Sequence, residues 1–98
     1  MSIIIDPEAK EIEALRRVSG WKRARVLEIG CGDGRLTLRL AQLGAKVVAI
    51  EPDRSLVRKA RRRLPNQFAD QIEYCVGTTA KLKHPPESFD RVIFAWSL

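Results

Sequence analysis

Residues 26 to 34 read VLEIGCGDG, an apolar run that gives way to glycine at every second position, Gly30, Gly32 and Gly34. Few transitions constrain a fold as tightly. Glycine reaches positive φ without strain and carries no Cβ, so the backbone can turn sharply or be approached closely. A glycine loop between a buried strand and the helix after it is where open α/β sheets meet their ligands. Two readings stand side by side here: a tight connection alone, or a backbone that a flat polar molecule must touch.

The rest of the chain supplies the sheet that such a loop needs. RVLEIG (25–30) reads as a buried strand and RLTLRLAQL (35–43) as a helix, with Leu36, Leu40 and Leu43 on one face and Gly44 as terminator. AKVVAIE (45–51) is a second strand. Asp53 caps a helix that runs to about Leu64, with Leu56, Val57, Ala60 and Leu64 inward. QIEYCVG (71–77) is a third strand, KLKHPPESFD a loop, and RVIFAW (91–96) a fourth strand. Ahead of them, DPEAKEIEALRRV (6–18) reads as a leading helix, capped by Asp6, started by Pro7 and stopped by Ser19-Gly20, so that it fills residues 6–19. Continuously apolar strands alternating with helices mean a parallel sheet covered on both faces. The expected fold is α/β, a three-layer Rossmann-like sheet in one domain spanning residues 1–98.

Length and composition agree with this. Ninety-eight residues make one small domain, and 45% hydrophobic with 31% charged residues fits a soluble globular chain. No apolar run approaches the ~18 residues of a membrane span. The start, MSIIIDPEAKE, has neither a basic n-region nor a long apolar h-region, so no signal peptide is read and a cytoplasmic location is the default expectation. His84 stands alone and neither Cys31 nor Cys75 lies in a C-x-x-C pair, which excludes a zinc reading that needs about four such ligands. In the expected sheet the two cysteines end strands that are not neighbours, about 9–10 Å apart and beyond disulfide reach.

The net charge of +6 has an address. RSLVRKARRR (54–63) holds Arg54, Arg58, Lys59, Arg61, Arg62 and Arg63 with no acid, and the remaining 12 cations match the 12 acids. Such a patch can attract nucleic acid or anionic lipid. The plainer reading, a solvated helix face, is favoured.

The loop's spacing narrows its ligand. The pattern is G-x-G-x-G; a dinucleotide loop, G-x-G-x-x-G, would need glycine where Arg35 stands. Asp33 also disfavours a diphosphate. The second strand ends at Glu51, 19 residues after Gly32, where an acid can accept hydrogen bonds from ribose hydroxyls. A ribose ligand without a diphosphate follows.

With these residues in hand, the chain resembles the class I S-adenosylmethionine-dependent methyltransferases. VLEIGCGDGRLTLRLA (26–41) is similar to their first motif and VVAIEPD (47–53) to their second. VGTTAKLKHPPESFDRVIFAWSL (76–98) is similar to the third and fourth. The resemblance implies S-adenosylmethionine as cofactor and transfer of its methyl group to an acceptor. It implies that Gly30, Cys31, Gly32 and Gly34 line the methionine part, that Glu28 stands near its amino group, that Glu51 holds the ribose and that Pro52 lies against the adenine. Thr78 replaces the acid that the family commonly directs at the adenine amino group, and its hydroxyl is a weaker acceptor than a carboxylate. No residue is assigned as catalytic base. Asp90 is read as a cap on the turn before the fourth strand, Trp96 as packing and His84 as a surface loop residue.

The family's sheet has seven strands in the order 3-2-1-4-5-7-6; this chain supplies about four, in the implied order 3-2-1-4, and so corresponds to the cofactor half. Strand 91–96 is then an open apolar edge, which invites pairing with another chain, and a homodimer through it is expected. Two other functions stay open: a non-catalytic module that binds the cofactor or associates through that strand, and a nucleic-acid-binding protein using Arg54–Arg63.

Overall fold

The computed structural model describes residues 2–6, 20–78 and 83–95. Its elements are β1 (Ser2–Asp6), β2 (Arg25–Ile29), α1 (Arg35–Gln42), β3 (Lys46–Glu51), α2 (Arg54–Arg63), β4 (Ile72–Val76) and β5 (Arg91–Ala95), with short 3-10 turns at Asn66–Phe68 and Pro86–Ser88. From β2 onward every strand and α-helix lies within one residue of its expected bounds, because each is marked locally by its period and its stop signal, while the two 3-10 turns fall where no element was expected.

All strand pairings are parallel, and the order is β1-β5-β2-β3-β4. The four expected strands thus stand in the expected arrangement, with β2 and β5 at the centre. Side chains alternate across the sheet. One set, Val26, Val47, Ala49, Ile72, Tyr74, Ile93 and Ala95, forms a core with Leu40 and Ala41 of α1 and Val57 and Ala60 of α2. The other set, Leu27, Ile50 and Val92 with Ile29, Val48, Cys75 and Phe94, packs on the opposite face around Phe89. Among the described residues no helix is long and apolar enough to cross a membrane.

Two expectations change at the amino terminus. Residues 91–95 are not an open edge: β1 pairs along all of β5, from Ser2 opposite Arg91 to Asp6 opposite Ala95. Three consecutive isoleucines, Ile3–Ile5, favour extended backbone, and pairing them to β5 covers a row of main-chain groups that would otherwise lack partners. The premise for a dimer through that strand is thereby removed. Asp6, expected as a helix cap, is the last residue of β1; the rest of the expected leading helix, residues 7–19, lies outside the described residues, as does Trp96. At the other edge, Arg61 of α2 donates from Nη2 to the Tyr74 carbonyl at 2.8 Å, so part of the free side of β4 is occupied by a guanidinium.

Asp90 has a structural task. Its carboxylate accepts from the Arg25 N–H at 2.8 Å, and its own N–H donates to the Arg25 carbonyl at 2.7 Å. It clamps the first residues of β2 and β5 together, at the end of the sheet opposite the glycine loop.

Candidate functional site

The carboxyl ends of β2, β3 and β4 converge on one residue, Glu51. Gly30 and Cys31 both donate their N–H groups to the Ile50 carbonyl, at 2.9 and 3.1 Å, which folds the loop over the end of β3. Gly32 N–H then donates to Glu51 Oε1 at 3.0 Å, and Asp53 N–H to Glu51 Oε2 at 2.9 Å. The Glu51 carbonyl accepts from Gly77 N–H at 3.0 Å, which brings in the exit of β4 and, next in the chain, Thr78. A carboxylate offers about four lone-pair positions. Two hold the protein, and the half-buried side chain keeps others for a ligand.

The loop glycines have different reasons. All three sit at positive φ, 80° at Gly30, 58° at Gly32 and 89° at Gly34. At Gly34 the space is also taken: a Cβ would collide with the Tyr74 hydroxyl and lie 3.2 Å from the Ala60 Cβ. Gly34 therefore answers to packing between the loop, α2 and β4. It is also the N-cap of α1, with no side chain capping that helix, so the N–H groups of its first turn are left to the loop side.

Beneath the loop lies a buried polar pair. Glu28 and Thr37 are both fully buried, and the Thr37 hydroxyl donates to Glu28 Oε1. Glu28 is thus held under the loop by α1 and is not brought to the surface that Glu51 faces. Burial, reinforced by the charges of Glu28, Glu51 and Asp33, pushes the Cys31 thiol up, so it stays protonated. Burial, reinforced by the nearby charges of Glu28 and Asp33, likewise pushes Tyr74 up to about 12. Cys31 is thus a small, buried, neutral side chain within the loop.

Asp33 pairs with Arg63 of α2 at 3.1 Å and with Arg35 at 3.5 Å, pinning the loop's tip to the end of α2. Pro52 is exposed beside Glu51, and Thr78 is exposed past the end of β4. The structure therefore gathers Gly30, Cys31, Gly32, Gly34, Glu51, Pro52 and Thr78 at one end of the sheet, with Glu28 behind them.

Sequence reasoning missed Asp53 as a partner of Glu51, Thr37 as the donor to Glu28, and Tyr74 as the reason for Gly34. The E-x-D spacing of Glu51 and Asp53 was the readable signal; the other two contacts join elements and leave no local trace. His84, expected as a surface loop residue, is partly buried; it stands 3.6 Å from the Glu73 carboxylate and edge-on to Phe89, with ring centroids 6.0 Å apart. Cys75 donates to the same carboxylate at 3.3 Å; burial and Glu73 raise its thiol to about 11.

The sequence matches the family described as "Methyltransferase domain" over residues 26–98. It is 47% identical over 64 residues to the ribosomal RNA small subunit methyltransferase A of Synechococcus sp., a match covering 63% of this chain and 21% of that protein. Among solved structures, an S-adenosylmethionine-dependent methyltransferase from Mesorhizobium loti superposes with a TM-score of 0.72 at 27% identity, covering 88% of this chain and 39% of that one. The magnesium protoporphyrin IX methyltransferase of Synechocystis PCC 6803, with bound S-adenosylhomocysteine, gives a TM-score of 0.72 at 25% identity, covering 87% of this chain and 38% of that one. The chain spans about a fifth to a third of the length of the curated relatives it matches.

Proposed function

This chain belongs to the methyltransferase domain family, and from that premise we propose that it binds S-adenosylmethionine at the carboxyl ends of β2, β3 and β4 as the cofactor part of a methyltransferase. One observation carries the reading. The Glu51 carboxylate is fixed by two backbone N–H groups, from Gly32 and Asp53, at the lip of a glycine loop, with lone pairs left over. A carboxylate so oriented fits the two vicinal hydroxyls of a ribose. The loop beside it presents Asp33 and no phosphate-binding lysine, which fits a ligand without a diphosphate.

In this reading Glu51 accepts from both ribose hydroxyls. Pro52 supplies an apolar surface to the adenine, and Thr78 offers a hydroxyl at the adenine edge. Gly30 and Gly32, with Cys31 between them, let the methionine part lie against the backbone, and Gly34, whose Cβ position is filled by Tyr74, holds the loop in that shape from behind. Glu28 sets an acid behind the loop, which favours a cationic amino group in front of it. S-adenosylmethionine, when bound, supplies the electrophilic methyl; the residues of this chain supply position and orientation.

Calorimetric titration with S-adenosylhomocysteine tests this. The native chain is expected to bind, and Glu51→Ala to weaken binding at least about tenfold, the worth of one hydrogen bond to a charged group. A native chain that circular dichroism shows to be folded and that takes up no heat would overturn the proposal.

A further inference from the structure

Helix α2 carries more positive charge than the fold uses. Two of its cations have structural work: Arg61 covers the Tyr74 carbonyl and Arg63 pairs with Asp33. Arg54, Arg58 and Arg62 are exposed and have no ion pair among the described residues. They recur at every fourth position of a ten-residue helix, so they form one stripe with a step of ~6 Å along the axis. Like charges four apart destabilise a helix by a few tenths of a kcal/mol per pair. Arg62, in the last turn, gains from the helix dipole, but Arg54 stands at its positive end and no acid on the helix offsets the repulsion along the stripe.

The stripe is also concave. Arg54, Arg58, Arg61 and Arg62 line a depression of about 330 Å³ together with Val76. Val76, 38% exposed, is the one large hydrophobic residue exposed among the described residues. It ends β4, one residue before Gly77, so the depression adjoins the mouth of the site built around Glu51.

We propose that this arginine stripe binds the phosphodiester backbone of a nucleic acid strand. Guanidinium groups take phosphate oxygens two at a time, and three heads spread over ~12 Å outreach a single phosphate group. Val76 gives a sugar or base an apolar place among them, and arginine planes can stack on bases. An anionic membrane is the poorer fit, because a surface helix that enters lipid needs a large apolar face beside its cations, and this face offers Val76 alone. The inference does not depend on the cofactor reading.

The test is fluorescence anisotropy with labelled 20-nucleotide single-stranded RNA and DNA of one mixed sequence, over a range of salt. Three phosphate contacts on a single strand predict a slope of about −2 in log K against log salt. The triple variant Arg54→Gln, Arg58→Gln, Arg62→Gln should lose at least about tenfold in affinity and most of that slope. A second triple variant, Lys22→Gln, Arg39→Gln, Lys46→Gln, removes the same charge from exposed positions elsewhere and should bind within about threefold of the native chain. Titration with S-adenosylhomocysteine, unchanged in the stripe variant, separates failure here from failure of the cofactor site. Native-like binding by the stripe variant, equal loss in both variants, or binding to phosphatidylserine vesicles in preference to either strand would overturn the proposal.

Discussion

Replacing Gly34 with alanine separates packing from ligand contact in the glycine loop. At φ 89° an L-residue pays roughly 1–2 kcal/mol of backbone strain. The new methyl group would also collide with the Tyr74 hydroxyl and press on the Ala60 Cβ at 3.2 Å; overfilling of this kind costs about 1–3 kcal/mol. Together these give about 2–5 kcal/mol, against a total stability of about 5–15 kcal/mol for a chain of this length. Even the lower figure lowers the melting temperature by roughly 8–16 °C. Urea unfolding followed by circular dichroism measures the loss, and Tyr74→Phe divides it. Removing the hydroxyl relieves the worst collision but leaves the φ strain and the 3.1 and 3.2 Å approaches to the Tyr74 ring and the Ala60 Cβ, so the double variant should recover part of the packing share of about 1–3 kcal/mol. A Gly34→Ala chain within about 1 kcal/mol of native, or a Tyr74→Phe background that recovers nothing, would refute this account.

Three further outcomes follow from single contacts. Thr37→Val removes the hydroxyl that donates to the buried Glu28 and should cost about 1–3 kcal/mol in urea unfolding, with Thr37→Ser restoring most of it; an unchanged midpoint would contradict the pairing. Asp53 is held below its ordinary 3.8 by hydrogen bonds from the Ser55 hydroxyl and N–H. Its stabilisation is therefore present at neutral pH and fades as pH falls from about 3.8 through the lower folded value. The melting-point gap between native and Asp53→Ala should accordingly close at acid pH, and a gap that persists at pH 2 would contradict it. Ile4→Pro removes an N–H from β1 opposite Ile93, which should loosen β1 and uncover the β5 edge. Light scattering should then show a mass that rises with concentration, and a variant that scatters like the native chain would contradict the role given to β1.

What could be read from sequence was local. The strands and helices from Arg25 onward declared themselves by period, cap and glycine stop, and Glu51 by its distance from the loop. Contacts between elements were hidden. Nothing near Gly34 names Tyr74 as its neighbour, nothing in α2 shows that Arg61 will cover a β4 carbonyl, and Thr37 looks like any helical threonine until α1 is laid over Glu28. β1 was overlooked for a different reason. Ile3–Ile5 is a run too short for alternation to show, and Asp6-Pro7 beside it is a strong helix-start signal; the isoleucines go to the sheet because β5 offers an unpaired edge beside the centre of the core.

The same economy explains why site and fold are hard to separate at Glu51. Its carboxylate fixes the loop through Gly32 and the start of α2 through Asp53, while its carbonyl fixes the exit of β4 through Gly77. One residue thus sets the spacing of every segment that would touch a bound ribose or adenine. The proposed site is therefore already organised in the free chain, which would leave little ordering cost to binding. It also means that Glu51→Ala removes two loop anchors along with the proposed ribose acceptor. Glu51→Gln separates the two effects. One amide oxygen can still accept a backbone N–H, but the amide nitrogen cannot accept the other, and the charge is gone. If the carboxylate serves chiefly as an anchor, Glu51→Gln and Glu51→Ala should both lower the melting temperature, and their affinities for S-adenosylhomocysteine should fall in step with it. If it serves chiefly as the proposed ribose acceptor, Glu51→Gln should melt between Glu51→Ala and the native chain, for it keeps one anchor, yet bind as poorly as Glu51→Ala. The two remaining lone-pair positions on an already fixed carboxylate favour the second pattern.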